Sequence, residues 1–211
     1  MSKSFAKNLL LAILAGISIA LGGAVFLMVD NKIIGSLLFT IGLFTVCTMG
    51  FNLFTGKVCY VLQNDRHYAK MLPVVWIGNL LGTWSVAAAF GCTRNAAAMM
   101  EKAAGLCAVK LGDSFLSLFF LGVLCNIFIY IGVEGYKSIP HDFGKYLALI
   151  FGVMVFILCG TEHCVADMFY IWMAKAWSAQ MILRLLVITL GNCCGGVVMP
   201  LLRSLAAKQK E

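Results

Sequence analysis

Long apolar runs alternate with short polar turns along the whole chain, and each run is long enough, at roughly 20 residues, to cross a ~30 Å hydrocarbon layer as a helix. The pattern predicts six such spans. Span 1 covers about 8 to 29 and ends at Asp30-Asn31-Lys32. Span 2 is apolar from Ile33 to Leu62, but Gly50-Phe51-Asn52-Leu53-Phe54-Thr55-Gly56-Lys57 interrupts it where a straight helix would be at mid-membrane, which predicts two half-helices joined by a loop. The polar turn Gln63 to Lys70 leads to span 3, Met71 to about Cys92. A longer connection carrying Arg94, Glu101, Lys102, Lys110 and Asp113 precedes span 4, Ser114 to Val133. After the turn Glu134 to Lys145, span 5 runs from Leu147 to Ala174 with a break at Gly160 to Cys164, and span 6 runs from Met181 to Leu202 into a polar tail, Arg203 to Glu211.

Composition excludes a soluble domain. Of 211 residues, 62% are hydrophobic and 12% charged, against about 45–50% and 25% in soluble proteins. The net charge of +7 is spread over loops and ends, which fits membrane topology and not nucleic-acid binding. Met1 to Val29 has the basic start of a signal peptide, but its apolar run is too long and further spans follow, so it reads as the first crossing. With six spans both termini share one side. Placing them in the cytoplasm puts nine basic residues inside (Lys3, Lys7, Arg66, Lys70, Lys137, Lys145, Arg203, Lys208, Lys210) against six outside (Lys32, Arg94, Lys102, Lys110, Lys175, Arg184). The nine cysteines form no C-x-x-C pair and read as reduced apolar packers.

The candidate chemistry lies in the break of span 5, where Glu162, His163 and Asp167 sit in an otherwise apolar run. Ionisable groups at membrane depth are costly unless they face a bundle interior or a water-filled cavity, so this stretch reads as a functional site. It has a counterpart. Gly78-Asn79-Leu80-Leu81-Gly82 recurs as Gly191-Asn192-Cys193-Cys194-Gly195, 113 positions on, and the interruption at Gly50 recurs at Gly160, 110 positions on. The order and offset predict two three-span units, about 8–92 and 114–202, inverted because each holds an odd number of spans. Interrupted segments at matching positions of two halves point to a midplane binding site. The helix resuming after each break starts with free N–H groups, which favour an anion or the negative end of a neutral solute.

Asn52-Leu53-Phe54-Thr55-Gly56, Leu121-Gly122-Val123-Leu124-Cys125-Asn126, Glu162-His163 and Gly191-Asn192 together resemble the formate/nitrite transporter family, over essentially the whole chain. The resemblance implies an all-α, aquaporin-like six-helix protomer in a homopentamer, with a separate pore in each protomer for small monovalent anions or their acids. It implies that His163 is the central pore histidine, Thr55 its loop partner, Lys110 the basic residue of the outer vestibule and Asn126 a pore-side amide. Phe39 and Phe156 match the outer constriction, Leu43 and Leu53 the inner one. The family usually has Asn where this chain has Asp167.

Residue by residue, other readings stand beside these. His163 is otherwise a neutral histidine packing helices. Glu162 would repel anions as a pore lining and reads better as an acceptor for backbone N–H groups freed by the break. Asp167, four residues after His163, either pairs with it or caps backbone. Thr55 is a helix cap, a partner of His163, or both; Lys57 snorkels toward the inner surface or adds charge to the pore, and Arg184 snorkels toward its own end of the membrane. The reading that follows is a multi-pass cell-membrane channel for a small weak-acid anion, formate first, with nitrite and hydrosulfide as competitors, the proton as a possible co-substrate, the lipid bilayer as surroundings and no cofactor. A neutral-solute channel of the water or glycerol type is the rival, but the only prolines, Pro73, Pro140 and Pro200, lie away from the breaks where that type has Asn-Pro-Ala. A membrane-embedded enzyme is the other, either a thiol oxidoreductase using the cysteines or a hydrolase using Glu162 and His163, without C-x-x-C, H-E-x-x-H or G-x-S-x-G to carry it.

Overall fold

The structure, a computed structural model, describes residues 3–208, and the tail residue Lys210 lies outside them, as does the side chain of Lys3. Ten α-helices and one 3₁₀ turn make up the described chain: α1 (Lys3–Met28), α2 (Lys32–Phe39), α3 (Ile41–Met49), α4 (Phe54–Val58), the 3₁₀ turn Val61–Gln63, α5 (Arg66–Gly91), α6 (Ala96–Gly112), α7 (Phe115–Ser138), α8 (Asp142–Leu158), α9 (Cys164–Met173) and α10 (Ala179–Lys208). Five segments are long and apolar enough to cross a membrane: Ser4–Met28, Lys32–Met49, Arg66–Gly91, Phe115–Ser138 and Ala179–Lys208. The apolar α9 is shorter.

The elements follow local chemistry. Asn31 caps α2 by accepting from the N–H groups of Ile33 and Ile34, Asp65 caps α5 through Tyr68 N–H, and Ser114 caps α7 through Ser117 N–H. The connection expected between spans 3 and 4 is instead mostly helix α6, because Ala96 to Gly112 is rich in Ala, Met, Leu and Lys, all strong helix formers. The turn expected over Glu134 to Lys145 narrows to the few residues between Ser138 and Asp142, and the polar tail stays helical to Lys208.

The bundle is held by two close helix pairs, α1 with α5 and α7 with α10. In the first, Gly82 leaves so little room that a Cβ there would strike the Ile13 carbonyl; in the second, a Cβ on Gly195 would strike that of Val123. Small residues bring backbones together where lipid supplies no hydrophobic drive between helices. Ile19, Leu43, Phe169 and Met168 lie in the buried centre, while Leu10, Leu21, Phe120 and Leu190 cover the outside. Large apolar side chains on the outside as well as in the centre suit a lipid surround.

Candidate functional site

Two places where the chain leaves helix build the site. After α3, Gly50 takes a left-handed turn (φ 69°), and after α8 Gly160 does the same (φ 65°); only glycine adopts this backbone without strain. Phe51 N–H then donates to Val46 O (2.9 Å) and Thr161 N–H to Phe156 O (3.1 Å). Asn52 N–H reaches across to Leu11 O (3.1 Å), and Glu162 N–H to Leu121 O (3.3 Å). Leu53 and His163 are extended, and α4 and α9 begin at the next residue.

An asparagine clamps each break. Asn79 Nδ2 donates to Ala12 O (2.8 Å) and Asn52 O (3.0 Å), and its Oδ1 accepts from Phe54 N–H (2.9 Å). Asn192 Nδ2 donates to Gly122 O (2.8 Å) and Glu162 O (2.9 Å), and its Oδ1 accepts from Cys164 N–H (2.9 Å). Both amides are fully buried. Backbone groups set free away from water need such partners. The sequence pattern singled out both asparagines as a repeated motif, but nothing in it tells which backbone groups they serve.

His163 sits where the two breaks meet. Its Nδ1 accepts from Ala166 N–H (3.1 Å), capping α9, and its Nε2 lies 2.9 Å from Thr55 Oγ1 in α4. An imidazole nitrogen that accepts a backbone N–H carries no proton, so the ring proton is on Nε2 and is donated to Thr55. The histidine is therefore held neutral in one tautomer. Phe156 stacks on it (5.6 Å between centroids, 18°), and Phe39 packs edge-on against Phe156 (6.1 Å, 87°). Asn126 donates to Thr55 O (3.1 Å) and so steadies the partner, not the histidine; its Oδ1 is buried without a partner among the described residues.

The remaining polar residues gather on one side of the ring. Lys110 Nζ reaches Glu162 Oε2 at 2.7 Å and Asp167 Oδ1 at 3.1 Å, with all three side chains buried. This corrects two expectations. The Glu162 carboxylate takes an ammonium and not freed backbone N–H groups, since Asn192 already serves that backbone. Asp167 pairs with Lys110, and neither holds His163 charged nor caps a helix. Lys110 is a buried residue of α6 and not a loop lysine. Arg184 does not snorkel either: it donates to Lys110 O (2.8 Å) and Leu111 O (2.7 Å), capping the end of α6.

Two cavities flank this centre. One of about 190 Å³ is lined by Phe39, Phe156, His163, Lys110, Glu162 and Asp167, with Lys32 also on its wall. The other, about 380 Å³, is lined by Leu43, Leu53, Lys57, Tyr60, Tyr68 and Lys137 among others. Of the residues singled out in the sequence, Phe39 and Phe156 thus share a cavity with His163, and Leu43 and Leu53 share the opposite one. Thr55 and Asn126 line neither and stand behind the histidine. Sequence reasoning missed Lys32, Tyr60 and Lys137. Lys137 lies 3.5 Å over the Tyr60 ring, whose hydroxyl donates to Glu134 (2.8 Å); a charge run at a helix end gives no sign of such inward placement.

The formate/nitrite transporter family model matches residues 1–205. The chain is 30% identical over 183 residues to the Bacillus subtilis transporter YrhG, covering 80% of this chain and 68% of that one. It is 28% identical over 151 residues to the formate channel FocA of Haemophilus influenzae, covering 67% of this chain but only 53% of the relative. It is 28% identical over 178 residues to the nitrite transporter NirC of Salmonella typhimurium, covering 76% of this chain and 65% of the relative. Its structure is similar to a pentameric formate channel with formate bound (TM-score 0.85, 26% identity, 99% of both chains). Sequence match over nearly the whole chain and likeness of fold agree: this protein belongs to the formate/nitrite transporter family.

Proposed function

We propose that the protein is a channel for small monovalent weak-acid anions, formate first, in which the anion crosses together with a proton. Membership in a family of transporters and channels sets the enzyme readings aside. The observation that carries the proposal is His163, neutral, held on Thr55 and lining one cavity with Phe39 and Phe156, while Leu43, Leu53 and Gly56, the last two flanking Thr55 within one or two residues, line the other. A bare charge in such a passage is expensive, whereas a neutral acid crosses it readily. Lys57 and Lys137 have no carboxylate partner among the described residues and draw anions to the larger cavity; Lys32 does so on the smaller one, where Lys110 is neutralised by Glu162 and Asp167.

In the same reading, α2 with α3 and α4 forms one interrupted crossing, α8 with α9 another, and the chain consists of two inverted three-span repeats, about 8–92 and 114–202. The paired bonds of Asn79 and Asn192, made to groups 110 positions apart, support this. The larger cavity faces the cytoplasm with both termini, and the smaller one, with Lys110, opens outward. The protein resides in the cell membrane as a homopentamer, like the pentameric formate channel whose structure it resembles. Nitrite is the competing substrate, because a nitrite transporter is among the similar proteins; hydrosulfide is the next to test.

Uptake into liposomes, with formate, nitrite, hydrosulfide, acetate and lactate compared as pH is varied, tests the proposal. Formate is expected to give the fastest uptake, rising as pH falls. Replacement His163→Asn is expected to slow uptake. An unchanged rate with an unchanged pH profile removes His163 from the mechanism, and swelling in glycerol or water at rates above those for any anion replaces the anion reading by a neutral-solute one.

A further inference from the structure

We propose that Glu162 and Asp167 share one bound proton against Lys110, and that this proton, not one from His163, is the one handed to the anion in the smaller cavity. The inference rests on reading that cavity as part of the transport path.

The charges do not balance without it. Two carboxyl groups meet one ammonium, with Glu162 7%, Asp167 2% and Lys110 6% exposed. No second cation forms an ion pair with these carboxylates: Arg184 donates to the carbonyls ending α6, and Lys32, on the wall of the same cavity, has its Nζ 3.4 Å from Leu158 O. The other titratable groups near Asp167 are Cys107 of α6, Cys125 of α7, Cys164 and Tyr170 of α9, and His163, none of them cationic here. A surplus negative charge stripped of water costs several kcal/mol, and a proton shared between adjacent carboxylates removes it.

A second observation shows where the proton sits. Asp167 Oδ1 is on Lys110, but Oδ2 is buried with no hydrogen-bond partner among the described residues. The two carboxyl groups are neighbours, since both hold the same Lys110 Nζ, at 2.7 and 3.1 Å. Two ionised carboxylates only accept and repel one another there, whereas one protonated carboxyl donates to the other.

His163, by contrast, has no proton to give. Nδ1 accepts from Ala166 N–H, and the single ring proton, on Nε2, is donated to Thr55 Oγ1. In the transfer, the carboxyl O–H bond breaks and a new O–H bond forms on the anion, leaving Asp167 as a carboxylate held by Lys110. The neutral acid moves on past Phe39 and Phe156, and hydronium from the bulk on the same side gives a proton back to the pair and leaves as water. No group is oxidised or reduced.

Infrared spectra of the full-length protein in nanodiscs test the proton directly. Among the described acidic residues only Glu162 and Asp167 are buried, so a protonated-carboxyl C=O band at neutral pH that shifts in D₂O and is lost on replacing either of them is assigned to this pair. The band is expected in the wild type and absent in Asp167→Asn, whose amide keeps the size and the donor of the protonated acid. A wild-type spectrum without the band overturns the inference, as does a band that persists in both Asp167→Asn and Glu162→Gln. For the transfer step, formate uptake by Asp167→Asn is expected to fall at least about tenfold at about pH 8 yet stay within about twofold of wild type at about pH 5, where the neutral acid is about a thousandfold more abundant than at pH 8. Equal losses at both pH values overturn the donor role. A band without transport of any weak-acid anion leaves the proton site standing and removes the channel reading; transport without the band does the reverse.

Discussion

At Gly50 and at Gly160 the chain leaves its helix with the same left-handed turn, crosses to a neighbouring helix with the same backbone bond, and is tied down by an asparagine making the same three contacts. The side chains at matching positions have little in common: Asn52 faces Glu162, Leu53 faces His163 and Lys57 faces Asp167 in the correspondence. The backbone problem is the same at both breaks, since groups freed from a helix must find partners away from water, and it has the same solution. The chemistry is confined to the second break. A scaffold that satisfies its backbone through one remote amide leaves the residues of the break itself free to differ, and that freedom is what lets one break carry an imidazole and an ion cluster while the other carries leucine.

The contrast is sharpest in charge. Lys110→Met leaves Glu162 and Asp167 buried without their cation, and the loss of one partner from a buried ion cluster destabilises by about 3–5 kcal/mol. Lys57 has no such partner among the described residues and lines an open cavity. Lys57→Met is expected to leave stability within about 0.5 kcal/mol of wild type, as surface changes generally do. Thermal unfolding of both variants in detergent checks this. Equal losses would mean that the two sides are not electrostatically distinct.

The common scaffold is tested by the asparagines. Asn79→Ala and Asn192→Ala each strip two buried carbonyls and one buried N–H of their partner, and each is expected to lose about 2–4 kcal/mol. The two losses should agree within about 1 kcal/mol, because the geometry agrees. Tolerance of one replacement and not the other would break the equivalence of the clamps.

These residues also mark what was legible in the sequence. The membrane class and the family were plain, because apolar runs and short ordered strings such as Gly191-Asn192 survive in one dimension. The two glycines stood out as interruptions, and the two asparagines as a repeat. What the asparagines hold was not legible, because each clamps backbone from two other helices, and backbone carries no sequence signature. The Lys110 cluster was misread for a similar reason. Lys110 stands about 50 residues before Glu162, in a segment whose exposed Glu101 and Lys102 suggest a solvated connection. Only the packing of α6 against α9 brings the lysine inward. Glu162 and Asp167 were visible as misplaced charges, but a misplaced charge does not name its partner.

The smallest effect is the cleanest test of shared backbone design. Gly50 and Gly160 both have positive φ, and a Cβ built on either meets nothing within 4 Å. Alanine therefore adds no clash, only the left-handed penalty of about 1–2 kcal/mol, so Gly50→Ala and Gly160→Ala should each lower stability by about 1 kcal/mol. The double variant should lose close to the sum, since distant sites without shared partners add within about 0.5 kcal/mol. Because neither glycine touches the ion cluster or the imidazole, the loss at Gly160 should not exceed that at Gly50. A larger loss there, read in the same unfolding experiment, would mean that the turn itself is strained by the chemistry it carries, and that scaffold and site are not separable.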